Sequence, residues 1–507
     1  MTSFESYLKS VGEVGRVVSA NNVLVMCEGL PGAKVWEKIV FETGQIGIVN
    51  AILSTQTRVL LLDSQSVSIG SSAVRTKETF KVKVSKNSLG RVVDVFGEPI
   101  DGRGKLASTE ERYPDSTVPP IIDRVRINQN LETGVTLVDL LLPLGKGQRQ
   151  LIIGDQKVGK TTFLLQVIAR QTALGTVCVY ASIGKKKSDL ASVVDRLSKL
   201  GAFSKSVVVA APASLPTSLI YLAPFTAFSI AEYFRDMGFD VLLVLDEISR
   251  HAKYFRELSI LSKKMPGRDG YPGDIFYLHS HLMERAGRFM LSSKSADSET
   301  LTLKIKGKTA SITCLPVVET VGSDFTGYIS TNLISMTDGH LFFDVDTFQT
   351  GLRPAINVGL SVTRVGRQTL KTIEREISFK VRDILFDYGK AQDVAKFGVE
   401  LLESTQKSLS EGEKLMAILE QRGDVVVPRV LQLLFVQMLF SSFWDGFGPS
   451  DIRAHKDVIY KAYVKGEVNK LTRELETSID LGSIRRFEKV VFDNKGALEA
   501  LCGIKRT

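Results

Sequence analysis

The sequence of 507 residues is poor in the features that mark disulfide-rich or zinc-binding chains. Its four cysteines are scattered and form no CxxC pair. Its five histidines form no ligand cluster, although His279 and His281 lie two residues apart. These absences argue for a reduced compartment and against a structural zinc site. The N-terminus has no basic stretch followed by a continuous apolar core, so no signal peptide is predicted.

Long hydrophobic runs are also lacking. The most apolar stretch, VLQLLFVQMLFSSFWDGF from Val430, is interrupted by Gln432 and Gln437. It falls short of the roughly 20 apolar residues that a membrane-spanning helix needs. We therefore predict a buried helix there.

Charge of one sign does not dominate the chain as a whole. The net charge is +9, but 65 basic residues are interleaved with 56 acidic ones. A surface that attracts anions explains this balance as well as a nucleic-acid partner does, and no nucleic-acid partner is predicted.

The length exceeds that of one ordinary core, so several domains are expected. After a short segment 1–13, runs of Val, Ile, Leu and Thr broken by Gly and Asn predict a β-barrel over 14–84. Alternating apolar strands and helical stretches then predict a parallel sheet flanked by helices over 85–370. Leu/Glu/Lys-rich stretches predict a helical domain over 371–507.

One motif points to nucleotide binding. GDQKVGKTT, residues 154–162, fits the pattern of Gly, four variable residues, Gly, Lys and Ser/Thr. It lies between the predicted strand RQLIIG and the predicted helix TTFLLQVIARQTALG, so backbone N–H groups and the helix dipole would face a phosphate. The nucleotide-binding residues predicted here are Gly154, Asp155, Gln156, Lys157, Val158, Gly159, Lys160, Thr161 and Thr162.

A magnesium site is predicted from two residues. The Thr161 hydroxyl belongs to the motif, and the apolar run VLLVL delivers Asp246 to the carboxyl edge of the sheet. Glu247 follows directly and is ambiguous. It could polarise an attacking water, as a following acid does in some nucleotide hydrolases, or be an acid without a catalytic role.

Longer strings carry a resemblance over nearly the whole chain. They are LGRVVDVFGEPIDG (89–102), LPLGKGQRQLIIGDQKVGKT, YLAPFTAFSIAEYFRD (221–236), PGRDGYPGDIFYLHSHLMERAGR (266–288) and LRPAINVGLSVTRVG (352–366). In these strings the chain resembles the alpha subunits of rotary F-type ATP synthases. The resemblance implies a multi-domain chain with an N-terminal β-barrel, a RecA-like α/β P-loop domain with a mainly parallel sheet, and a C-terminal α-helical domain.

The resemblance also implies partners, cofactors and a location. The expected partners are F-type beta subunits in an alternating hexamer, a central gamma shaft and a peripheral stalk. The expected cofactors are ATP (or ADP) and Mg²⁺. The complex would be a peripheral one, on the mitochondrial inner membrane or the bacterial plasma membrane, and would couple ATP synthesis or hydrolysis to proton transport.

Lys185 distinguishes the alpha-type from the catalytic beta-type subunit. In this fold the water-activating glutamate lies just after the strand that follows the first helix, where this chain reads SIGKKKSD. A protonated ammonium cannot accept a proton from water. Alpha subunits usually have glutamine there, and our hypothesis is that lysine favours retained ATP. The alternative for Lys186 and Lys187 is a solvated charge run.

The resemblance assigns further residues. Arg364 matches the arginine finger that reaches the neighbouring catalytic site, and Ser361 is expected to position it. Phe348, Arg353, Pro354 and Gln421 match positions at the adenine pocket. Gln421 matches one of a glutamine pair whose second member is not evident. The loop interior Gln156-Lys157-Val158 departs from the usual Arg-Gln-Thr.

Residues 289–315 replace a short glycine-rich stretch of the family. The alternation in LTLKIKGKTASIT predicts a hairpin with lysines on one side. It could be a surface hairpin without a role, or a contact with a neighbouring subunit or another partner.

Two rival functions stay open at this point. A catalytic hexameric ATPase of the export-motor type would use Glu247 as its base, and Lys185 argues against it. An RNA-translocating helicase would need stacking aromatics beside basic residues in the barrel, where only scattered Trp36, Phe41 and Phe80 are available.

Overall fold

The computed structural model describes residues 3–291, 307–396 and 402–504. The strands within these ranges are β1 (Val14–Ala20), β2 (Leu24–Glu28), β3 (Glu37–Phe41), β4 (Ile46–Ile52), β5 (Thr57–Leu61), β6 (Ser72–Thr79), β7 (Val82–Val84), β8 (Arg91–Val93), β9 (Glu110–Arg112), β10 (Asn130–Leu131), β11 (Leu144–Gly145), β12 (Leu151–Gly154), β13 (Val177–Ile183), β14 (Ser206–Ala211), β15 (Val241–Asp246), β16 (Gly287–Met290), β17 (Thr309–Glu319), β18 (Gly339–Phe343) and β19 (Val362–Thr363).

The α-helices within the same ranges are α1 (Ser3–Val11), α2 (Thr136–Leu141), α3 (Lys160–Ala173), α4 (Lys187–Lys199), α5 (Thr217–Asp236), α6 (Ile248–Leu261), α7 (Ile275–Glu284), α8 (Tyr328–Met336), α9 (Val345–Gln349), α10 (Thr372–Lys396), α11 (Glu403–Leu419), α12 (Arg429–Phe440), α13 (Pro449–Val464), α14 (Asn469–Asp480), α15 (Ile484–Asp493) and α16 (Lys495–Leu501).

The chain divides into two compact units. The first unit takes residues from 1–126, 149–153 and 175–337, and the second takes 127–148, 154–174 and residues from 338–507. The predicted boundaries at 84/85 and 370/371 stay a prediction.

The first unit contains a closed barrel with the strand order β1-β2-β5-β4-β3-β6. Alternate side chains of these strands point inward, because successive residues of a strand face opposite sides. The interior is a cluster of buried apolar residues that includes Val25, Ile39, Phe41 and Val59. β7 pairs with β9 outside the barrel.

The first unit also contains a mostly parallel sheet with the order β12-β17-β15-β13-β14-β8, to which β16 adds antiparallel to β17. Every residue of β13 and β15 is buried, which explains their continuous apolar runs. β13 and β15 are parallel neighbours, and Ser182 lies beside Asp246. The chain that leaves β13 therefore starts next to the last residue of β15.

The second unit is dominated by helices. α12 is buried from Val430 to Met438, which confirms the predicted buried helix. Trp444, just after it, is fully buried. None of the helices within the described ranges has the length and apolar character needed to cross a bilayer. The predicted fold class of barrel, α/β domain and helical domain is confirmed.

The predicted hairpin lies mostly outside the described residues, which omit 292–306. Of the sequence that predicted it, residues 309–313 belong to β17, which pairs antiparallel with β16 so that Met290 lies opposite Thr309.

Candidate functional site

The phosphate loop follows β12 and leads into α3, and residues 154–174 belong to the second unit. Its glycines are needed for steric reasons. Gly154 has φ 154°, and a Cβ there would lie 2.3 Å from the Phe343 carbonyl oxygen. Gly159, the residue before α3, has φ 101°. Few other residues adopt such angles, so the two glycines set the path of the loop.

The remaining loop residues present several donors at the start of a helix. Gln156 and Lys157 are exposed, Val158 is buried, and Thr161 and Thr162 are half-buried in the first turn of α3. The N-terminus of a helix favours anions, because the helix dipole places positive charge there.

Lys160 is 8% exposed, and its Nζ donates to the carbonyl oxygens of Gly154 and Asp155, at 2.6 Å each. Two backbone carbonyls of the loop thus hold the Lys160 ammonium near the N-terminus of α3.

The structure brings the four predicted base-pocket residues together in the second unit. The Arg353 guanidinium lies 3.6 Å from the centre of the Phe348 ring. It also donates to the carbonyl oxygens of Phe348 (2.7 Å) and Leu352 (2.8 Å). Pro354 follows through a cis peptide bond. The Gln421 N–H donates to the Arg353 carbonyl at 2.8 Å, so Gln421 belongs to the same group.

Both the oxygen and the nitrogen of the Gln421 side-chain amide form hydrogen bonds within the second unit. Its Oε1 accepts from the Thr136 N–H and hydroxyl, both at 3.0 Å. Its Nε2 donates to the carbonyls of Gly134 (2.7 Å) and Val425 (2.8 Å). Gln421 therefore acts as a bridge between α2 and the loop after α11. Sequence reasoning missed these partners, because nothing in the sequence links Gln421 to Gly134 and Thr136.

Gly423 lies at the point where the loop after α11 touches α3. A Cβ on Gly423 would come within 2.4 Å of the Thr162 methyl carbon, so no side chain fits between them. The Gln166 Nε2 of α3 donates to the carbonyls of Arg422 (2.9 Å) and Val425 (2.7 Å). The loop is thereby tied to the phosphate-loop helix.

A cavity of about 240 Å³ opens beside Arg353 and Gln421. Phe435, Lys456 and Tyr460 line it as well. The Lys456 ammonium donates to carbonyls at the C-terminal end of α11. Burial lowers the pKa of Lys456 to about 7. The lining therefore combines apolar and charged side chains, and Lys456 among them is buried.

The predicted magnesium acid, Asp246, lies in the first unit and is held by two donors. The Lys185 Nζ lies 2.5 Å from its Oδ2, and the Tyr180 hydroxyl donates to the same oxygen. The Asp246 side chain is 2% exposed and that of Lys185 is 13% exposed. Burial and the Asp246 charge raise the pKa of Tyr180 well above its usual value, so this hydroxyl stays a donor.

The sheet register explains why these residues meet. Tyr180 and Ser182 lie on one face of β13, and Ser182 is the neighbour of Asp246 on β15. Lys185 follows three residues later. Its carbonyl accepts from the Ala213 N–H at 2.9 Å, which fixes the chain at this point.

Glu247, the candidate base of the rival function, is buried and engaged. Ser249 Oγ donates to it at 2.7 Å, and Arg250 Nε lies 3.5 Å from its carboxylate. Burial and the neighbouring Glu319 carboxylate raise the pKa of Glu247 above the usual carboxyl range. Glu247 thus belongs to a local network of polar side chains that includes Ser249 and Arg250.

Arg364 lies in the second unit directly after β19 and is exposed. Among residues 3–291, 307–396 and 402–504, no hydrogen bond or ion pair holds its guanidinium. The backbone on both sides is anchored instead: the Thr363 hydroxyl donates to the Pro143 carbonyl at 2.9 Å, and a Cβ on Gly366 would collide with the same carbonyl. The side chain is thus presented outward from a fixed backbone.

Ser361 supports the same segment. Its hydroxyl donates to the Asn357 carbonyl at 2.6 Å and accepts from the Phe342 N–H at 2.9 Å. These bonds tie the approach to β19 onto β18. Ser361 therefore orders the backbone ahead of Arg364.

These contacts decide whether the predicted ligands, Thr161 and Asp246, could bind a divalent cation. Within the described ranges, no group of three or more His, Cys, Asp or Glu side chains is arranged to hold a metal ion. The Thr161 hydroxyl is in the first turn of α3, as the motif requires. The one predicted carboxylate ligand, Asp246, already forms an ion pair with the Lys185 ammonium. It therefore does not fit the role of a magnesium ligand.

The loop of residues 154–162, between a buried strand and a helix, defines a P-loop protein with a nucleotide-binding domain. The chain belongs to the ATP synthase alpha/beta family: residues 134–363 match its nucleotide-binding domain and residues 371–491 its C-terminal domain.

Three relatives, each named "ATP synthase subunit alpha", illustrate the similarity. The one from Ehrlichia chaffeensis is 38% identical over 90% of this chain and 89% of its own length. The one from Helicobacter pylori strain G27 is 35% identical over 92% and 90%, and the one from Helicobacter acinonychis 36% over 89% and 87%. The predicted resemblance to F-type alpha subunits is confirmed.

Proposed function

We propose that this chain is the non-catalytic, regulatory nucleotide-binding alpha subunit of a proton-translocating F-type ATP synthase. It binds ATP or ADP at residues 154–162 and alternates with beta subunits in a hexamer. The family membership and the names of the relatives support this assignment.

The observation that carries the proposal is Lys185. A hydrolytic site needs a group that accepts a proton from the attacking water. At the position of the expected glutamate, this chain has an ammonium paired with Asp246. An ammonium has three N–H donors and no acceptor, so it cannot act as the base.

Arg364 is proposed to act in the neighbouring beta subunit. A guanidinium stabilises the charge that develops on a phosphoryl group during transfer, an effect worth roughly 10³ to 10⁵ in rate in comparable enzymes. The outward position of Arg364 on an anchored segment supports a role in trans. Ser361 is proposed to hold that segment in place.

The wider assembly follows from the same assignment. A central gamma shaft and a peripheral stalk are the further proposed partners, without a nucleic acid. The complex would be peripheral to the mitochondrial inner membrane or the bacterial plasma membrane. Mg²⁺ is proposed to reach the nucleotide through its phosphates and Thr161, since Asp246 is engaged.

The assembled complex tests the proposal. We expect Arg364→Ala to lower its ATPase kcat by about 10³ or more, while the nucleotide content of this chain's own site is unchanged. Arg367→Ala, an exposed arginine three residues further on, is the matched control.

Two results would contradict the proposal. One is an equal loss of kcat in both arginine variants. The other is ATP hydrolysis by this chain alone that is abolished by Glu247→Gln, which would favour the catalytic hexamer.

A further inference from the structure

The predicted base-pocket residues border the phosphate loop on two sides, and all of them belong to the second unit. β18 ends at Phe343, whose carbonyl oxygen lies against Gly154 and whose ring centre lies 5.6 Å from that of Phe163 on α3. α9, which carries Phe348, begins two residues later. On the other side, the loop after α11 lies against Thr162. A base attached to phosphates at this loop is therefore within reach of both segments.

Gln421 is the one amide in this group that could read the edge of a base, and its hydrogen-bonding capacity is already used. A glutamine amide has two N–H donors and an oxygen with two lone pairs. All four positions are taken by Thr136, Gly134 and Val425, at 2.7–3.0 Å. Gln421 is also only 8% exposed. A base could bond to this amide only by displacing one of these partners.

The other three side chains of the group provide no acceptor. Phe348 and Pro354 have no polar side-chain atoms, and a guanidinium has N–H donors only. Arg353 directs one of its nitrogens at the carbonyls of Phe348 and Leu352. Adenine carries an amino donor where guanine carries a carbonyl acceptor. Without an available acceptor, the four side chains cannot favour adenine over guanine.

Stacking is the contact that remains. The Arg353 guanidinium lies 3.6 Å from the centre of the Phe348 ring, and both residues are half-buried, so part of the pair is exposed. Bases stack on aromatic rings and on guanidinium planes, and such stacking tolerates every base because each has a π-face. The Phe348–Arg353 pair thus offers affinity without selectivity for the base.

We infer that this chain holds purine nucleoside triphosphates by their phosphates and by stacking on the Phe348–Arg353 pair, without distinguishing adenine from guanine. This inference rests on the proposed nucleotide site at residues 154–162. It names the class of nucleotide that the site takes.

Equilibrium dialysis of radiolabelled ATP and GTP against the full chain, in saturating Mg²⁺, tests the inference. For the wild type we expect the two Kd values to differ by less than about tenfold, the scale of one hydrogen bond. A site that reads a polar group of its ligand rejects the analogue without that group by roughly 10⁴ or more.

Phe348→Ala removes the stacking surface. We expect it to weaken ATP and GTP equally, by roughly five- to hundredfold. The Kd of tripolyphosphate, which has no base and is measured by competition, should stay unchanged.

Phe386→Ala is the matched control. Phe386 on α10 is exposed and also lies beside a cation, with the Lys390 ammonium 4.0 Å from its ring centre. Its loss should change none of the three Kd values. Far-UV circular dichroism establishes that each variant is folded.

The outcomes are distinct. Wild-type Kd values for ATP and GTP that differ by tenfold or more would overturn this inference and leave the proposed function intact. If ATP were then the tighter ligand, the acceptors to replace next would be Glu420 and Asp457, the two carboxylates that line the adjoining cavity. Unchanged nucleotide Kd values in Phe348→Ala, or an equal loss for tripolyphosphate, would also overturn it. A wild-type chain that binds neither nucleotide nor tripolyphosphate would overturn the proposed nucleotide site as well.

Discussion

Replacing Gln421 by Leu tests whether this residue holds the second unit together. The substitution keeps a similar volume but removes all four hydrogen bonds of the amide, which join it to Thr136, Gly134 and Val425. At about 1 kcal/mol each, simple addition would give about 4 kcal/mol.

Two of the carbonyls keep another hydrogen-bond donor, so the expected loss of stability is smaller than that sum. The Gly134 carbonyl keeps the Val427 N–H at 2.9 Å, and the Val425 carbonyl keeps the Gln166 Nε2 at 2.7 Å. The loss therefore centres on Thr136, whose buried N–H is left without this acceptor. An unsatisfied buried donor costs about 1–3 kcal/mol, so we expect the second unit to lose about 2–3 kcal/mol of stability.

Urea unfolding of the full chain, followed by circular dichroism, measures the change. Arg422→Ala is the matched control: it removes the adjacent side chain, whose ion pair with Asp424 is exposed on both sides. Its shift should be much smaller. An unfolding midpoint for Gln421→Leu that equals that of the control would refute the reasoning.

Two further predictions concern a clash and an ion pair. Gly154→Ala places a methyl group against the Phe343 carbonyl and should destabilise the chain by about 1–3 kcal/mol more than Gly159→Ala, which has open space around its Cβ; equal thermal midpoints would contradict this. The Arg91 guanidinium lowers the pKa of Asp101 from 3.8 to about 2, so the stability from this pair is present above pH 3.8 and is lost as the pH falls through about 2. An acid titration of Asp101→Asn should lack this component, and an unchanged profile would show that the pair contributes nothing.

The elements with strong local signals could be predicted from the sequence. Continuous apolar runs marked β13 and β15, and the glycine pattern marked the loop between β12 and α3. The strand order could not be predicted, because β13 and β15 are neighbours in the sheet while β14 lies between them in the chain. The contact between Lys185 and Asp246 depends on that order. The sequence therefore predicted both residues but not their pairing.

Side-chain partners far apart in the chain were also beyond prediction. His279 and His281 lie two apart on α7, where residues at that spacing face different directions. In the structure His279 hydrogen-bonds His251, and His281 pairs with Asp115. The role of Gln421 as a bridge was equally hidden, since Thr136 and Gly134 precede it by 285 and 287 residues.

The contact of Gly423 with Thr162 has a mechanical consequence. The loop after α11 packs against the first turn of α3 with no room for a side chain on Gly423, and Gln166 adds two hydrogen bonds between the same two segments. A displacement of this loop would act directly on the first turn of α3. The position of the loop after α11 and that of the first turn of α3 are for that reason coupled.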